Sequence, residues 1–330
     1  MTAALHPDLV LHQDAALAES AALPCCEHYA GSSAKLRKSL ALQQSLDGAF
    51  DVTADLEDGA LSGDEARTAR DLANVLREPR PAGHRVGMRV HPPLHPAFDT
   101  DLAEIFGGAS LRLSYITIPK IDHPTQLDVA AHAVARHAMA AGEHAPGLQI
   151  LIESPAAVRH VARIAAHPAV AMLSFGQMDF VSSHRGAIPA QAMASPGQFD
   201  HPLLRRAKVE ISAACQAAGK SAVHNPTTDY ASQSQAGDDA RRARSEFGFT
   251  RMWSIHPGQV SQILRAFAPS ETELEDATRI LLAAQAAQWG PIADQGRLHD
   301  RASYRYYWDL LRRARVQGGV IPAAAVQAFF

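Results

Sequence analysis

Acids and bases close the short apolar runs of this chain in a pattern that could hold a cation and stabilise a developing negative charge. Asp55-Leu56-Glu57-Asp58-Gly59 ends one run, Arg89-Val90-His91 a second and Pro119-Lys120 a third. Glu153 follows the nearly continuous apolar stretch Leu148-Gln149-Ile150-Leu151-Ile152, the next run leads through Gly176 to Asp179, and two more lead into His224-Asn225 and His256-Pro257. A carboxylate delivered by an apolar strand is costly to bury unless it is paired, hydrogen-bonded or bound to a metal. Two hard oxygen ligands on consecutive strands, Glu153 and Asp179, with positions left open, suit Mg2+, with Mn2+ as its substitute. Each acid alone also has a plain structural reading: Glu153 can cap the helix that opens near Pro155, and Asp179 can be a loop acid. Their pairing on neighbouring strands is what favours a metal.

Arg89 presents a planar, permanently charged fork that fits a carboxylate or an enolate oxygen, and it can also salt-bridge the acids at the end of the second run. Lys120 could form a Schiff base, but beside a metal site an electrostatic or ion-pair role is expected instead. Of the seventeen histidines, seven precede proline, including His91, His95 and His256. Most are expected to be structural, no HExxH or other zinc spacing occurs, and His224 and His256 are the exceptions that position would favour. A GxSxG elbow is missing. Gly219-Lys220-Ser221 resembles the end of a phosphate loop, but Ala214 stands where its first glycine belongs and the triplet enters a strand.

The elements that must position these groups alternate: short apolar runs with longer Ala-rich, helix-like segments, the signature of parallel βα units. Eight runs are countable, at 23–29, 50–56, 85–90, 115–119, 148–152, 171–175, 221–223 and 251–255. Helices are expected over stretches such as 34–46, 64–76, 126–141, 156–166, 203–218 and 238–247. Ser154-Pro155 fits an N-cap followed by proline, and Gly142 and Gly219 stand where C-terminal glycines belong. Eight repeats without GxGxxG after the first strand predict a closed (β/α)8 TIM barrel over residues 1–268 rather than a dinucleotide fold. Its catalytic groups should come from the C-terminal ends of the strands. Beyond Pro269 the pattern is purely helical, with candidates at 271–288 and 304–316 joined by 294–300, so 269–330 reads as a C-terminal helical extension.

Composition narrows the functional classes. Hydrophobic residues are 47% of the 330, charged residues 20%, and the net charge is -3, which describes an ordinary globular protein. Lys and Arg are scattered among acids, so nucleic acid is not an expected partner. Cys25, Cys26 and Cys215 form no CxxC or disulfide pattern, and no leader or membrane-spanning run is evident, so a cytoplasmic location without a membrane partner is expected.

These motifs together resemble the citrate lyase beta-subunit-like family of the HpcH/HpaI aldolase superfamily over roughly residues 20–265. Asp55-Leu56-Glu57-Asp58-Gly59 with Ala69-Arg70 is similar to the family's DLEDG...AR block, and Met88-Arg89-Val90 to its VRxN block. Ile118-Pro119-Lys120, Ile152-Glu153-Ser154, 175–179 and 255–260 are similar to four more, in order, each at a predicted strand end. Gly296-Arg297-Leu298-His299-Asp300 resembles the segment whose acid reaches a neighbouring subunit's active site.

The resemblance implies a Mg2+-dependent lyase that cleaves a 3-hydroxyacyl-CoA to acetyl-CoA and a keto acid, or runs the reverse condensation. Citramalyl-, malyl- and citryl-CoA are the typical substrates. It implies Glu153 and Asp179 as metal ligands, and Arg89 as the group that stabilises the thioester enolate. Glu57, Asp58 and Lys120 join Arg89 in substrate binding, and Asp300 moves the proton. It also implies a homo-oligomer, a trimer or a multiple of three. His91 stands where the family commonly has asparagine, and Pro92 and Pro93 give the next loop a different shape, which leaves substrate choice open. Two other readings remain: an aldolase acting on free hydroxy-keto acids without CoA, and a non-catalytic barrel that binds a metabolite or serves as a subunit of a complex.

Overall fold

Eight parallel strands hydrogen-bond in sequence order, and the last closes on the first. They are β1 (Cys26–Ala30), β2 (Asp51–Asp55), β3 (Val86–Arg89), β4 (Tyr115–Ile118), β5 (Gly147–Ile152), β6 (Val170–Phe175), β7 (Ser221–His224) and β8 (Arg251–Ser254). The computed structural model of the protein describes residues 5–11, 23–60 and 63–330. The remaining residues, 1–4, 12–22 and 61–62, lie outside that description, and with them the first part of the barrel domain as delimited from sequence. The (β/α)8 TIM barrel expected from the repeats is the observed fold, with each strand buried on both faces, as a sheet wrapped by helices requires.

The wrapping helices are α1 (Ser33–Ser45), α2 (Glu65–Arg77), α3 (Phe98–Phe106), α4 (Pro124–Ala140), α5 (Pro155–Ala165), α6 (Pro202–Ala217), α7 (Gln235–Phe247) and α8 (Pro257–Phe267). Local chemistry starts several of them. Ser154 accepts the Ala157 amide at the head of α5, and His123 with Gln126 forms a capping box ahead of the proline that opens α4. A short extra helix, Gln177–Ser183, follows β6 and carries Asp179 in its first turn.

Near the strand starts the barrel interior is polar rather than oily. Arg251 on β8 donates to Asp51 on β2 at 2.8 Å and to Glu27 on β1 at 3.3 Å, and Gln149 on β5 donates to Glu27 at 2.7 Å. Tyr115 fits across the interior because Gly87 has no side chain: a Cβ there would stand 2.2 Å from the tyrosine ring. Tyr115 meets Thr53 at 2.7 Å.

Residues 268–330 form a second compact unit with the N-terminal segment, whereas the barrel unit runs from Cys25 to Phe267. The described N-terminal residues 5–11 fall in this second unit, whereas the sequence reading delimits the barrel domain as 1–268. In this unit α9 (Glu271–Ala286) starts at a Ser270/Glu273 capping box, and α10 (Arg301–Val316) packs Tyr304, Trp308 and Leu311 against Leu274 and Leu281. The short helix Pro7–Leu11 lies beside them, with the Trp308 indole donating to Asp8 at 2.8 Å. The joining segment expected over 294–300 is not a plain connector. It belongs to an antiparallel hairpin, Ile292–Asp294 with Arg297–His299, turned by Gln295 and Gly296 at φ of 46° and 76°. Two successive positive φ values are what a tight hairpin turn demands, and glycine supplies the second without strain. No helix among the described residues is long and apolar enough to cross a membrane.

Arg251 generates the first prediction. It is 1% exposed and faces two buried acids, so Arg251→Met leaves uncompensated charge in the barrel floor. Stability should fall by about 3–5 kcal/mol, read as a lower urea midpoint. Adding Glu27→Gln and Asp51→Asn to the same variant should recover part of the loss.

Candidate active site

The turn after β2 is wound around one carboxylate. Asp55 accepts the Glu57 amide at 3.1 Å and the Gly59 amide at 2.9 Å. A side chain at Gly59 would place its Cβ 2.2 Å from Asp55 Oδ2, and one at Gly31 would meet the Gly59 carbonyl oxygen at 1.8 Å, so both glycines are steric requirements. With its remaining capacity Asp55 grips Arg89 in two parallel bonds, Nε to Oδ1 at 2.7 Å and Nη2 to Oδ2 at 2.6 Å. The register pairs Asp55 with Arg89 across β2 and β3, which is why the fork meets the carboxylate squarely.

Arg89 is 4% exposed. Its Nη1 reaches Glu57 at 2.9 Å, and its guanidinium lies 5.3 Å from the centroid of the Tyr29 ring and 5.8 Å from that of Trp253. Burial opposes its charge, but Asp55, Glu57 and Tyr29 outweigh burial and hold its pKa above the ordinary arginine value. The cation is fixed, desolvated and permanent.

Lys120, just past β4, takes a left-handed backbone with φ of 55°. For a residue other than glycine that costs about 1 kcal/mol. The conformation turns its amide onto Glu153 Oε1, while its ammonium reaches Glu57 Oε1 at 2.7 Å and Asp179 Oδ1 at 3.4 Å. Burial works against the ammonium, yet the Glu57 hydrogen bond and the charges of Glu153, Glu57 and Asp179 raise its pKa above the usual lysine value.

Glu153 ends up 5% exposed against Gly176, where a Cβ would lie 2.6 Å from its Oε2. Its pKa is pushed up to about 8: burial is the main cause, the charges of Asp179 and Glu57 add to it, and Lys120 pulls the other way. Glu57 is likewise raised, chiefly by burial. Asp179 and Asp58 are the open acids, with side chains 41% and 62% exposed.

Glu153, Asp179, Asp58 and Arg89 all line one cavity of about 250 Å³ at the mouth of the barrel. Its other walls include Tyr29, Met178, Asn225, Trp253 and Ile255. Asp55, Glu57, Asp58 and Asp179 thus surround Arg89 and Lys120, with Glu153 held protonated beside them by burial, an acid-rich site whose charge a divalent cation would relieve. Among the described residues no group of three or more His, Cys, Asp or Glu side chains is arranged to hold a metal. The site offers a cation two carboxylates and room, which fits an ion that keeps most of its waters or shares them with substrate.

Several residues singled out from sequence lie elsewhere. His91 turns to Asp101, which accepts both its backbone amide at 2.8 Å and its Nδ1 at 2.7 Å, while its ring stacks on His95. His224 is fully buried and accepts from Lys208, whose ammonium also reaches Asn225 Oδ1 at 2.8 Å and thereby fixes part of the cavity wall. His256 accepts the Gly258 amide at the head of α8. Asp300 belongs to the other unit, where it caps α10 by accepting the Ala302 amide at 2.9 Å. Sequence reasoning passed over Tyr29 and Trp253, although both sit at strand ends. Only the fold brings the two rings together, tilted at 55° with centroids 4.7 Å apart, beside the Arg89 guanidinium.

A family model described as HpcH/HpaI aldolase/citrate lyase matches residues 32–257. A crystal structure of a citrate lyase from Burkholderia xenovorans LB400 is 48% identical, covers 99% of this chain and 100% of its own, and superposes with a TM-score of 0.86. An L-malyl-CoA/beta-methylmalyl-CoA lyase of Cereibacter sphaeroides is 28% identical over 80% of this chain and 87% of its own length. The protein CitE of Mycobacterium tuberculosis, in complex with magnesium, acetoacetate and coenzyme A, shares the fold, with a TM-score of 0.70 at 21% identity over 89% of this chain and 99% of that one.

The raised Glu153 gives a pH prediction. A carboxyl whose pKa is raised from the ordinary 4.5 to about 8 on folding holds its proton in the native state while the unfolded chain has lost it. Between those values, rising pH removes up to about 1.4 kcal/mol of stability per pH unit, and below the lower one the penalty is absent. Glu153→Gln keeps an acceptor for the Lys120 amide without that proton. In EDTA the variant should therefore melt above the wild type at pH 8, with the gap closing towards pH 5. A gap that does not change with pH would contradict the assignment.

Proposed function

The chain belongs to the HpcH/HpaI aldolase/citrate lyase family, whose members are lyases, and on that premise we propose that it splits the carbon–carbon bond of a 3-hydroxyacyl-CoA of the malyl, citramalyl or citryl type. The products are acetyl-CoA and a keto acid, and the reverse reaction joins them. What supports this reading is a buried guanidinium and two acids, Glu153 and Asp179, facing one cavity beside an excess of carboxylates.

Glu153 and Asp179 would hold Mg2+. When bound, the ion supplies Lewis-acid polarisation of the carboxylate and the carbonyl or hydroxyl oxygen of the keto-acid half. Arg89 carries the other half of the work. In cleavage the electron pair of the breaking bond passes to the acyl carbon, and the enolate that forms on the thioester needs a positive charge already in place. Arg89 provides one that need not reorganise, because Asp55 and the two aromatic faces hold it from behind. Glu57 ties Arg89 to Lys120, so these residues act on substrate as one charged group, with Asp58 at the open rim.

The hydroxyl of the substrate must lose its proton as the keto acid forms, and Asp300 of a neighbouring subunit would accept it. In condensation the same carboxylate would take a proton from the acetyl methyl group. Asp300 sits at the head of α10, anchored by its own capping bonds, a rigid placement for a group that serves a second copy. The working form is accordingly a homo-oligomer, a trimer or a multiple of three.

Malyl-, citramalyl- and citryl-CoA offered with Mg2+ should yield acetyl-CoA together with glyoxylate, pyruvate or oxaloacetate for at least one of them. Glu153→Gln and Asp179→Asn should each lower kcat by about 100-fold or more and abolish the response to added Mg2+. Failure of all three thioesters, with pyruvate released from a free hydroxy-keto acid instead, would transfer the chain to the aldolases that work without CoA.

A further inference from the structure

Lys120 is placed where it can do more than steady its neighbours. Its ammonium lies between Glu57, at 2.7 Å, and Asp179, at 3.4 Å, and its own backbone amide is committed to Glu153. One residue in a left-handed conformation thus touches an acid just past β2, one just past β5 and one in the helix after β6. Arg89, the other cation of the site, has a side chain 5% exposed and gripped by Asp55 in two bonds, whereas the Lys120 side chain is 43% exposed and meets Asp179 at the longer distance of 3.4 Å.

We propose that the Lys120 ammonium is a counter-ion, tethered by Glu57, that competes with the divalent metal for Asp179, so that Lys120, and not the acids alone, sets how tightly the site holds its cation. The inference rests on the metal role given above to Glu153 and Asp179. With no metal bound, the ammonium neutralises part of the carboxylate surplus and keeps Asp179 from being left unpaired beside Glu153. A divalent ion arriving at Asp179 meets a positive charge already there and must push it aside. The displaced ammonium stays within reach of Glu57 and is left facing the cavity, ready for an anionic substrate. Metal binding and substrate binding are then coupled through a single side chain.

The measurement is Mg2+ titration by calorimetry of the full-length, metal-stripped protein, comparing wild type with Lys120→Met and Lys120→Arg. Removal of a competing unit charge that is partly screened by water should tighten Mg2+ binding by about tenfold in Lys120→Met, while Lys120→Arg stays close to wild type. In melting experiments Mg2+ should raise the transition of Lys120→Met more than that of the wild type, because the metal-free variant lacks its counter-ion. Should Lys120→Met not fold, Lys120→Gln carries the same expectation. Equal or weaker Mg2+ affinity in the folded variant, with the wild type binding normally, overturns the counter-ion role and leaves the metal assignment standing. If neither protein binds Mg2+, the metal assignment falls and takes this inference with it.

Discussion

The paired hydrogen bonds between Asp55 and Arg89 are the constraint from which the rest of the barrel mouth follows. An arginine that is 4% exposed needs a carboxylate, and a carboxylate that winds its own turn through two backbone amides can supply one without moving. Gly31 and Gly59 exist for that turn, since a methyl group on either would strike backbone or the Asp55 oxygen. Once Arg89 is fixed, Glu57 is drawn to it, Lys120 is drawn to Glu57, and the Lys120 amide meets Glu153. Charge passes in this way from β2 to β5 through side chains whose positions depend on one another.

The parts of this arrangement that depend on pattern were readable from sequence. Parallel strands wrapped by helices read as largely apolar runs, and eight of them in order close a barrel, so the polar residues that end the runs had to cluster at one rim. The parts that depend on three-dimensional coincidence were not. Asp101 gives no sign in the sequence that it will fasten His91, because the partners lie on different elements and Asp101 looks like any acid in the first turn of a helix. Tyr29 and Trp253 have the composition of core residues, and their place beneath Arg89 follows from β1 pairing with β8. The hairpin ahead of α10 was hidden in another way: three-residue strands are too short to show a period, and Gln295-Gly296 carries the whole signal.

Histidine illustrates how abundance misleads. His224 ends β7, where a catalytic group might stand, yet it is an internal acceptor for Lys208 and contributes to the cavity only by helping to seat Asn225. Position at a strand end locates the rim, but whether a side chain faces the cavity or the layer between strands and helices depends on the local register. That register is set by contacts distant in sequence.

Among the described residues the barrel holds a cluster of acids at each end, and the two differ in their access to solvent. At the floor, Glu27 and Asp51 are fully buried, with Arg251, Gln149, Tyr29 and Arg85 spread over their oxygens, and burial raises the pKa of Glu27. That cluster is sealed from solvent and pairs its acids with Arg251 and Arg85, although Arg251 Nε and Nη1 keep no hydrogen-bond partner among the described residues. At the mouth, the pKa of Glu153 is also raised by burial, but it shares a cavity with the exposed carboxylates of Asp179 and Asp58, and a half-exposed Lys120 lies beside it. The same acid-rich chemistry is closed off from solvent at one end of the barrel and open to a cavity at the other.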